Sequence, residues 1–339
     1  MRRLPIFLAI DVSESMAGEP IGNVKQGVRL LAEALASDPM AMETAYLSII
    51  TFAGTAKVVT PLTQVCDFQV PELPIGSGTS LSAALTLLDR EIDANVKKNT
   101  PEAKGDWRPL VFILTDGAPT DKYQAAVAKW KAKYGSKVEP VAVLMGEDSD
   151  ASALASLTVR VLVFKDHNEA AYTGLFRWVS SSVQAGSKEI GTTGRQSFFD
   201  EKRFQNLEKD LLADNLPSVN KVEYLVIPAR CMKSRKLYII RAVRRRPETK
   251  YHYDGAYPVD ESYFELSGRG KNDKLTVSSS DIAGKNPPCP YCENPALGFC
   301  ACGACHCLPG ANAREVKCPW CGGIHDYLES VLKINGGRD

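Results

Sequence analysis

The sequence lacks the features that would mark a membrane-spanning or exported protein. No run approaches the roughly 18 consecutive apolar residues that a membrane helix needs. The apolar run at 4–10 contains Pro5 and ends at Asp11 without a small-residue cleavage site, so we expect a buried strand there and not a signal peptide. These absences favour a cytoplasmic protein without a membrane partner.

An excess of charge of one sign is also missing. The 339 residues carry a formal net charge of +1, which provides no general attraction to nucleic acid or to a membrane surface. The basic stretch 230–250 is a local exception and raises nucleic-acid binding as a hypothesis. Charges that guard a solvated strand edge explain that stretch equally well, and the net charge argues against a dedicated nucleic-acid binder.

Signatures of catalysis are scarce. The chain has four histidines, and it contains neither a Gly-x-Ser-x-Gly elbow nor a kinase-type loop. The glycine-rich segment 76–80 lacks the Gly-Lys-Ser/Thr ending of a P-loop. A magnesium-assisted hydrolase stays open as an alternative because a bound ion can activate water, but the pattern indicates a protein that is not an enzyme.

What the sequence does contain is an alternation of strands and helices over residues 1–183. Amphipathic helical stretches separate continuous apolar runs at 6–10, 46–52, 110–114, 138–144 and 159–164. This order predicts an α/β fold with a doubly wound, mainly parallel sheet. A Gly/Ser/Thr-rich linker is expected at 184–220, with a helix near 200–213. A small β-rich module with a zinc-ribbon-like tail is expected at 221–339.

Five oxygen-bearing side chains lie where strands end or a helix begins. The first strand runs into Asp11, Ser13 and Ser15, the strand at 110–114 runs into Asp116, and Thr79 precedes a helix. Ligands of open parallel sheets bind at the carboxyl ends of the strands. Each residue alone has an ordinary explanation as a cap or a turn. Their joint placement predicts a site for Mg²⁺ or Mn²⁺, which prefer oxygen ligands.

The cysteines are not spread like a disulfide framework. Cys66 and Cys231 stand alone, whereas eight of the ten lie in the tail at 288–325: Cys289, Cys292, Cys300, Cys302, Cys305, Cys307, Cys318 and Cys321. Two Cys-Pro-x-Cys pairs flank a dense middle group, which is a strong signal for structural zinc. The spacing leaves open one zinc ion or two. With two, a crossed pairing (289/292 with 305/307, and 300/302 with 318/321) and a sequential pairing are both admissible.

The oxygen-bearing residues also form a known pattern. The D-x-S-x-S sequence at 11–15, the loop residue Thr79 and the T-D-G sequence at 115–117 resemble the metal-ion-dependent adhesion site of the von Willebrand factor A family. The resemblance implies a Rossmann-like fold over about 1–182, with Asp11, Ser13, Ser15, Thr79 and Asp116 as ligands. It further implies an open coordination position that a carboxylate of a partner protein completes.

With the segment 255–264 and the cysteine tail added, the whole chain resembles the bacterial tellurite-resistance family of the TerY type. It departs from that family's pattern by the additional Cys305. The resemblance implies a scaffold that works with a PP2C-type phosphatase, a protein kinase or both in stress or tellurite-resistance signalling. A nucleic-acid-binding adaptor that uses 230–250 and the zinc module, and a chelatase-type accessory subunit of an ATPase, stay open as alternatives.

Overall fold

The chain folds into two compact units, seen in a computed structural model. It describes residues 2–116, 118–135, 138–145, 151–158, 161–164, 169–193, 222–245, 247–267, 275–310, 313–327 and 333–338. The first unit comprises Met1–Val12, Gly18–Leu73 and Thr79–Ser218. The second comprises Val219–Asp339 together with two short segments from earlier in the chain, Ser13–Ala17 and Pro74–Gly78.

A six-stranded sheet forms the centre of the first unit. Its strands are β1 (Leu4–Asp11), β2 (Ala45–Phe52), β3 (Ala56–Gln64), β4 (Leu110–Thr115), β5 (Glu139–Met145) and β6 (Val161–Phe164), in the order β3-β2-β1-β4-β5-β6. Every neighbouring pair is parallel except β2 and β3. All residues of β1 are buried, as expected for a central strand covered on both faces. The predicted α/β fold is confirmed.

Helices cover this sheet: α1 (Glu19–Ala36), α2 (Pro39–Thr44), α3 (Leu81–Asn95), α4 (Gln124–Tyr134), α5 (Ala151–Leu157) and α6 (Glu169–Thr193). Helix α1 buries Val24, Val28, Leu31 and Leu35, the face that the helical periodicity predicts. A Cβ atom at Gly27 of α1 would lie 2.0 Å from the ring of Phe176 in α6. The absence of a side chain at Gly27 therefore allows α1 and α6 to approach closely.

Two features of the first unit differ from the sequence expectations. Strand β3 was not anticipated, because its residues are mostly half-buried and Pro61 interrupts its apolar pattern. The Gly/Ser/Thr-rich stretch from Gln184 was expected to be a linker, but α6 continues to Thr193. Val183 is buried, and the Gln184 side chain donates a hydrogen bond to the carbonyl of Ala34 at 2.9 Å. The helix expected near 200–213 lies outside the described residues.

The second unit is rich in β structure, as predicted. It contains β7 (Val222–Arg230), β8 (Leu237–Arg245), β9 (Tyr251–Pro258), α7 (Tyr263–Leu266), β10 (Leu275–Ser278), β11 (Ile282–Ala283), β12 (Leu297–Phe299), β13 (Cys305–Cys307), β14 (Val316–Lys317), β15 (Ile324–His325) and β16 (Lys333–Arg338). The main sheet has the order β10-β16-β7-β8-β9-β11, and β13 joins it beside β7. None of the helices in the described part of the chain is long and apolar enough to cross a membrane.

Candidate metal centres

Asp11 and Asp116 lie at the ends of adjacent strands at one edge of the first unit's sheet. Strands β1 and β4 pair in parallel with Ile10 opposite Leu114, so Asp11, the last residue of β1, and Asp116, the residue after β4, both lie at the carboxyl ends of these strands. Asp11 is fully buried, and the hydroxyl of Thr115 donates a hydrogen bond to its carboxylate. A buried carboxylate at the carboxyl end of a parallel strand is suited to a bound cation.

Thr79 is held by the loop that follows β4. It is 3% exposed; its amide donates to the hydroxyl of Thr120 at 3.0 Å, and its carbonyl accepts from the amide of Thr120 at 2.8 Å. Both main-chain polar groups of Thr79 are therefore fixed by one residue, four positions after Asp116. The hydrogen bonds join the loop that carries Thr79 to the loop that carries Asp116.

Ser13 and Ser15 lie in the Ser13–Ala17 segment of the second unit. Both are buried, and their hydroxyl oxygens are 3.0 Å apart. Ser13 is the N-cap residue of a short 3-10 turn over Glu14–Met16, and Ser15 lies within that turn. With Asp11, Thr79 and Asp116 these residues offer oxygen atoms alone, which fits a hard cation such as Mg²⁺.

Two groups of four cysteines lie in the second unit. One contains Cys231, Cys289, Cys292 and Cys307, and the other contains Cys300, Cys302, Cys318 and Cys321; within each group the sulfur atoms all lie within 4.8 Å of one another. A zinc ion held tetrahedrally at about 2.3 Å from each sulfur would separate the sulfurs by about 3.8 Å. The separations are 3.6 Å for Cys292–Cys307, 3.7 Å for Cys300–Cys321 and 4.0 Å for Cys302–Cys318. Both groups therefore fit a tetrahedral zinc ion, and they follow the crossed pairing except that Cys231 takes the place of Cys305.

Cys231 was missed by the sequence reasoning, although it begins a turn of the same design as the two Cys-Pro-x-Cys turns. In each turn the first cysteine's amide donates to the carbonyl five residues later, and its carbonyl accepts from the amide four residues later. These pairs are Cys231 with Lys236 and Arg235, Cys289 with Asn294 and Glu293, and Cys318 with Gly323 and Gly322. The residue at the fourth step has a positive φ each time: 63° at Arg235, 60° at Glu293 and 77° at Gly322.

The turn at Cys231 differs from the others at one position. Ser234 stands where Cys292 and Cys321 stand in the two Cys-Pro-x-Cys turns, so this turn offers one thiol instead of two. The amide of Ser234 lies 3.4 Å from the sulfur of Cys231, in the manner of amide–thiolate contacts in zinc turns. The single available sequence signal was a lone cysteine directly after a strand.

Cys305 does not join either group, which corrects its expected role as a zinc ligand. In the pairing of β13 with β7, Cys305 lies opposite Ala229 and His306 lies opposite Arg230. Continuing that register places Cys307 beside Cys231, and the amide of Met232 lies 3.2 Å from the Cys307 sulfur. Cys305 lies two residues back along the strand, about 7 Å away. It is buried in the core of the second unit, and burial raises the pKa of its thiol far above the ordinary value.

The histidines near the cysteines have structural partners. His306 is fully buried, with one ring nitrogen 2.7 Å from the hydroxyl of Tyr327 and the other 3.0 Å from the carbonyl of Cys307. Burial lowers the pKa of His306 below its ordinary value, which favours the neutral ring. Neither His306 nor His325 belongs to a ligand group in the described residues.

Part of the basic stretch 230–250 is engaged inside the second unit. Arg244 forms an ion pair with Glu223, and Arg241 forms one with Asp254 at 2.6 Å. The guanidinium of Arg230 lies over the ring of Trp320, 4.4 Å from its centroid. These three cations have partners within the fold, which reduces the basic surface that a nucleic acid would require.

Comparisons with known proteins agree with this two-part organisation. A family model of the von Willebrand factor type A domain matches residues 6–177, and a model of the TerY-C metal binding domain matches residues 221–337. A search of curated proteins returns no match.

Solved structures with a likeness to the chain include three from different organisms. One is proximal thread matrix protein 1 from the mussel byssus with a zinc occupied MIDAS motif (18% identity, 53% of this chain and 47% of that chain, TM-score 0.40). The others are BatB from Bacteroides thetaiotaomicron (16% identity, 54% and 98%, TM-score 0.38) and the vWF domain of the pili tip protein Mfa5 from Porphyromonas gingivalis (10% identity, 54% and 96%, TM-score 0.41). The chain thus spans about half the length of the mussel protein. At these TM-scores the likenesses carry no argument about function.

Proposed function

The chain belongs to the von Willebrand factor type A domain family and joins that domain to a TerY-C metal binding domain, and from this premise we propose that it is a magnesium-dependent, non-enzymatic protein-binding scaffold. The observation that carries the proposal is the pairing of β1 with β4. It brings the strand ends that bear Asp11 and Asp116 to one edge of the sheet, where Thr120 fixes Thr79.

The proposed magnesium ligands are Asp11, Ser13, Ser15, Thr79 and Asp116, directly or through water. They provide two formal negative charges against a dication that prefers six oxygen ligands. Because the proposed ligand residues number five and the ion prefers six ligands, one coordination position is open to another group. A carboxylate is the protein group best suited to that position at neutral pH. Mn²⁺ shares these preferences and is the expected substitute.

For the second unit we propose two structural zinc ions, one in each group of four cysteines. Thiolates select zinc over magnesium, whereas the oxygen ligands of the first site select magnesium. The zinc groups connect β7, β13 and the short turns near the end of the chain. Binding of the ions supplies folding free energy to a region whose strands are mostly two or three residues long.

The proposed partner is a protein that inserts an acidic side chain into the open magnesium position. The resemblance to the TerY type points to a PP2C-type phosphatase or a protein kinase in a stress or tellurite-resistance system. The contacts of Arg230, Arg241 and Arg244 within the fold favour this class of partner over nucleic acid.

The experiment is capture of a candidate phosphatase or kinase by the full chain, with magnesium present or omitted. Magnesium is omitted and not chelated, because a chelator such as EDTA would also remove zinc. We expect capture to need magnesium, Asp11→Ala to abolish it, and Thr79→Ala to weaken it more than it weakens binding of magnesium alone. Removing the hydroxyl of Thr79 leaves a position that water can fill in the free site.

Matched controls are Asp89→Ala and Thr86→Ala in α3. Asp89 pairs with Lys133 on the surface, and Thr86 is exposed, so neither change should affect capture. Capture that persists undiminished without magnesium and in both site variants would place the partner contact elsewhere. The stretch 230–250 would then be the next surface to test.

A further inference from the structure

Arg241 lies in the middle of β8 and binds the backbone of the Ser13–Ala17 segment within the second unit. Its Nη1 atom donates to the carbonyl of Ser15 at 2.6 Å and to the carbonyl of Glu14 at 2.9 Å, with the carbonyl of Ala17 at 3.4 Å. One guanidinium nitrogen therefore contacts three backbone carbonyl groups in the segment that contains both serines of the D-x-S-x-S sequence.

The remaining donors of Arg241 are also used inside the unit. Nε donates to the carboxylate of Asp254 at 2.6 Å, and Nη2 donates to the hydroxyl of Tyr257 at 3.2 Å. Burial disfavours the charge of Arg241, but Asp254 outweighs it and the pKa of Arg241 lies above its ordinary value. Arg241 is 8% exposed. A buried cation with this many directed hydrogen bonds fixes the geometry of whatever it contacts.

A second set of contacts holds the side chain of Glu14, the residue between the two serines. Glu14 is 1% exposed, and its carboxylate accepts a hydrogen bond from the hydroxyl of Tyr263 at 2.6 Å and from the amide of Gly78 at 3.1 Å. In the same unit, the amide of Ser77 donates to the hydroxyl of Ser267 at 3.0 Å. Arg241 of β8 and Tyr263 of α7 thus hold the segment Ser13–Ala17, and Ser267, the residue after α7, binds the segment Pro74–Gly78.

The same β hairpin also reaches the first cysteine group. Strands β7 and β8 are antiparallel neighbours with Val226 opposite Arg241. Strand β7 ends at Arg230, and the next residue is Cys231, a member of that group. A zinc ion held by Cys231 would order the turn between the two strands, because that turn begins at Cys231 and returns the chain to β8.

We propose that Arg241 and Tyr263 are positioning residues that hold the Ser13–Ser15 turn in its magnesium-binding conformation. The zinc-stabilised module is then part of the magnesium site's support. This inference rests on the proposed function. It goes beyond the proposed function because two residues that are not ligands, Arg241 and Tyr263, would control the affinity for magnesium.

The test measures magnesium binding to the zinc-loaded full chain by calorimetry. We expect Arg241→Gln to weaken magnesium binding about tenfold, since it loses the charged hydrogen bonds to the turn. Arg244→Gln is the matched control: Arg244 lies in the same strand, and within the described part of the chain its side-chain hydrogen bonds go to Glu223 and Thr249 and not to the turn. Its magnesium affinity should equal that of the wild type. Hydrogen exchange at residues 13–17 should accelerate in Arg241→Gln and stay unchanged in Arg244→Gln.

Tyr263→Phe keeps the ring and removes only the hydroxyl, so it covers the case in which Arg241→Gln fails to fold or loses zinc. We expect it to keep both zinc ions and the thermal transition, and to bind magnesium several-fold more weakly than the wild type. Zinc-loaded, folded variants that bind magnesium as tightly as the wild type would overturn the inference alone. A wild-type chain that binds no magnesium would overturn the proposed function and this inference with it.

Discussion

Cys305 and Cys307 lie two residues apart in β13, yet their thiols have different neighbours. The parallel pairing with β7 sets Cys305 opposite Ala229 and carries Cys307 to Cys231. A distance of two residues along a strand, about 7 Å, is larger than the separation of two ligands on one zinc ion. The strand register therefore decides which of the two cysteines can bind.

The first prediction compares these two positions through zinc content. Cys231→Ser should reduce the zinc content from two ions to one, because it removes one of four ligands from its group. Cys305→Ser should keep both ions, since Cys305 belongs to neither group. Elemental analysis of both variants, purified under reducing conditions, gives the answer. Loss of an ion from Cys305→Ser, with retention in Cys231→Ser, would reverse the assignment.

Spacing along the chain could identify seven of the eight thiols that form the two cysteine groups. It could also identify the crossed pairing as one of two possible arrangements. It could not find Cys231, because 58 residues separate it from Cys289 and the pairing of β7 with β13, which brings it beside Cys307, has no signature in the spacing. The turn at Cys231 carries Ser234 in place of a second thiol, which hides the pattern that marks the other turns.

Helix α3 begins at the loop that carries Thr79, and its first turn is fixed by Asp121. The carboxylate of Asp121 accepts from the hydroxyl of Ser80 at 2.8 Å and from the amide of Ser82 at 3.0 Å. Ser80 in turn accepts from the amide of Ala83 at 3.1 Å, as an N-cap does. The start of α3 and the position of Thr79 therefore depend on the same loop after β4.

The second prediction is that Asp121→Ala lowers the free energy of unfolding by about 1–2 kcal/mol, because it removes hydrogen bonds from a helix terminus. It should also weaken magnesium binding, because the loop of Thr79 loses its anchor. Asp38→Ala is the matched control, since Asp38 caps α2 by accepting from the amides of Met40 and Ala41. Urea unfolding should show a similar loss for both variants, with magnesium affinity reduced only in Asp121→Ala. Equal magnesium affinities would show that the cap at α3 serves stability alone.

The elements of the first unit illustrate what periodicity can and cannot predict. Strands buried on both faces, such as β1 and β4, give continuous apolar runs and were predicted within one or two residues. The edge strand β3 has one partner and a half-exposed surface, so its sequence carries no such run. The end of α6 was misjudged because glycine and serine lower helix propensity, whereas the helix continues past Gln184, whose side chain binds the carbonyl of Ala34 in α1.

At the scale of the whole molecule, the sequence divides between residues 183 and 221, but the compact units do not follow that division. Ser13–Ala17 and Pro74–Gly78 belong to the unit formed by the C-terminal residues. The segment Ser13–Ala17 is held by a buried arginine and a tyrosine hydroxyl, Arg241 and Tyr263. A single arginine in a basic stretch and a tyrosine among aromatic residues have no periodic signature, so this role could not be predicted from the sequence.

The last prediction follows from that division and concerns removal of zinc. A soft chelator that takes zinc and leaves magnesium should unfold the second unit, because its short strands and turns are held by the two cysteine groups. The first unit should keep its thermal transition, because its sheet and helices form a separate core of apolar residues. Magnesium affinity should nevertheless fall, since Ser13 and Ser15 lose the support of Arg241. Calorimetric scans and magnesium titrations before and after zinc removal, with zinc added back, measure both effects. If magnesium binding were unchanged after the second unit had unfolded, the two serines would keep their conformation without Arg241, and the role assigned to that residue would be wrong.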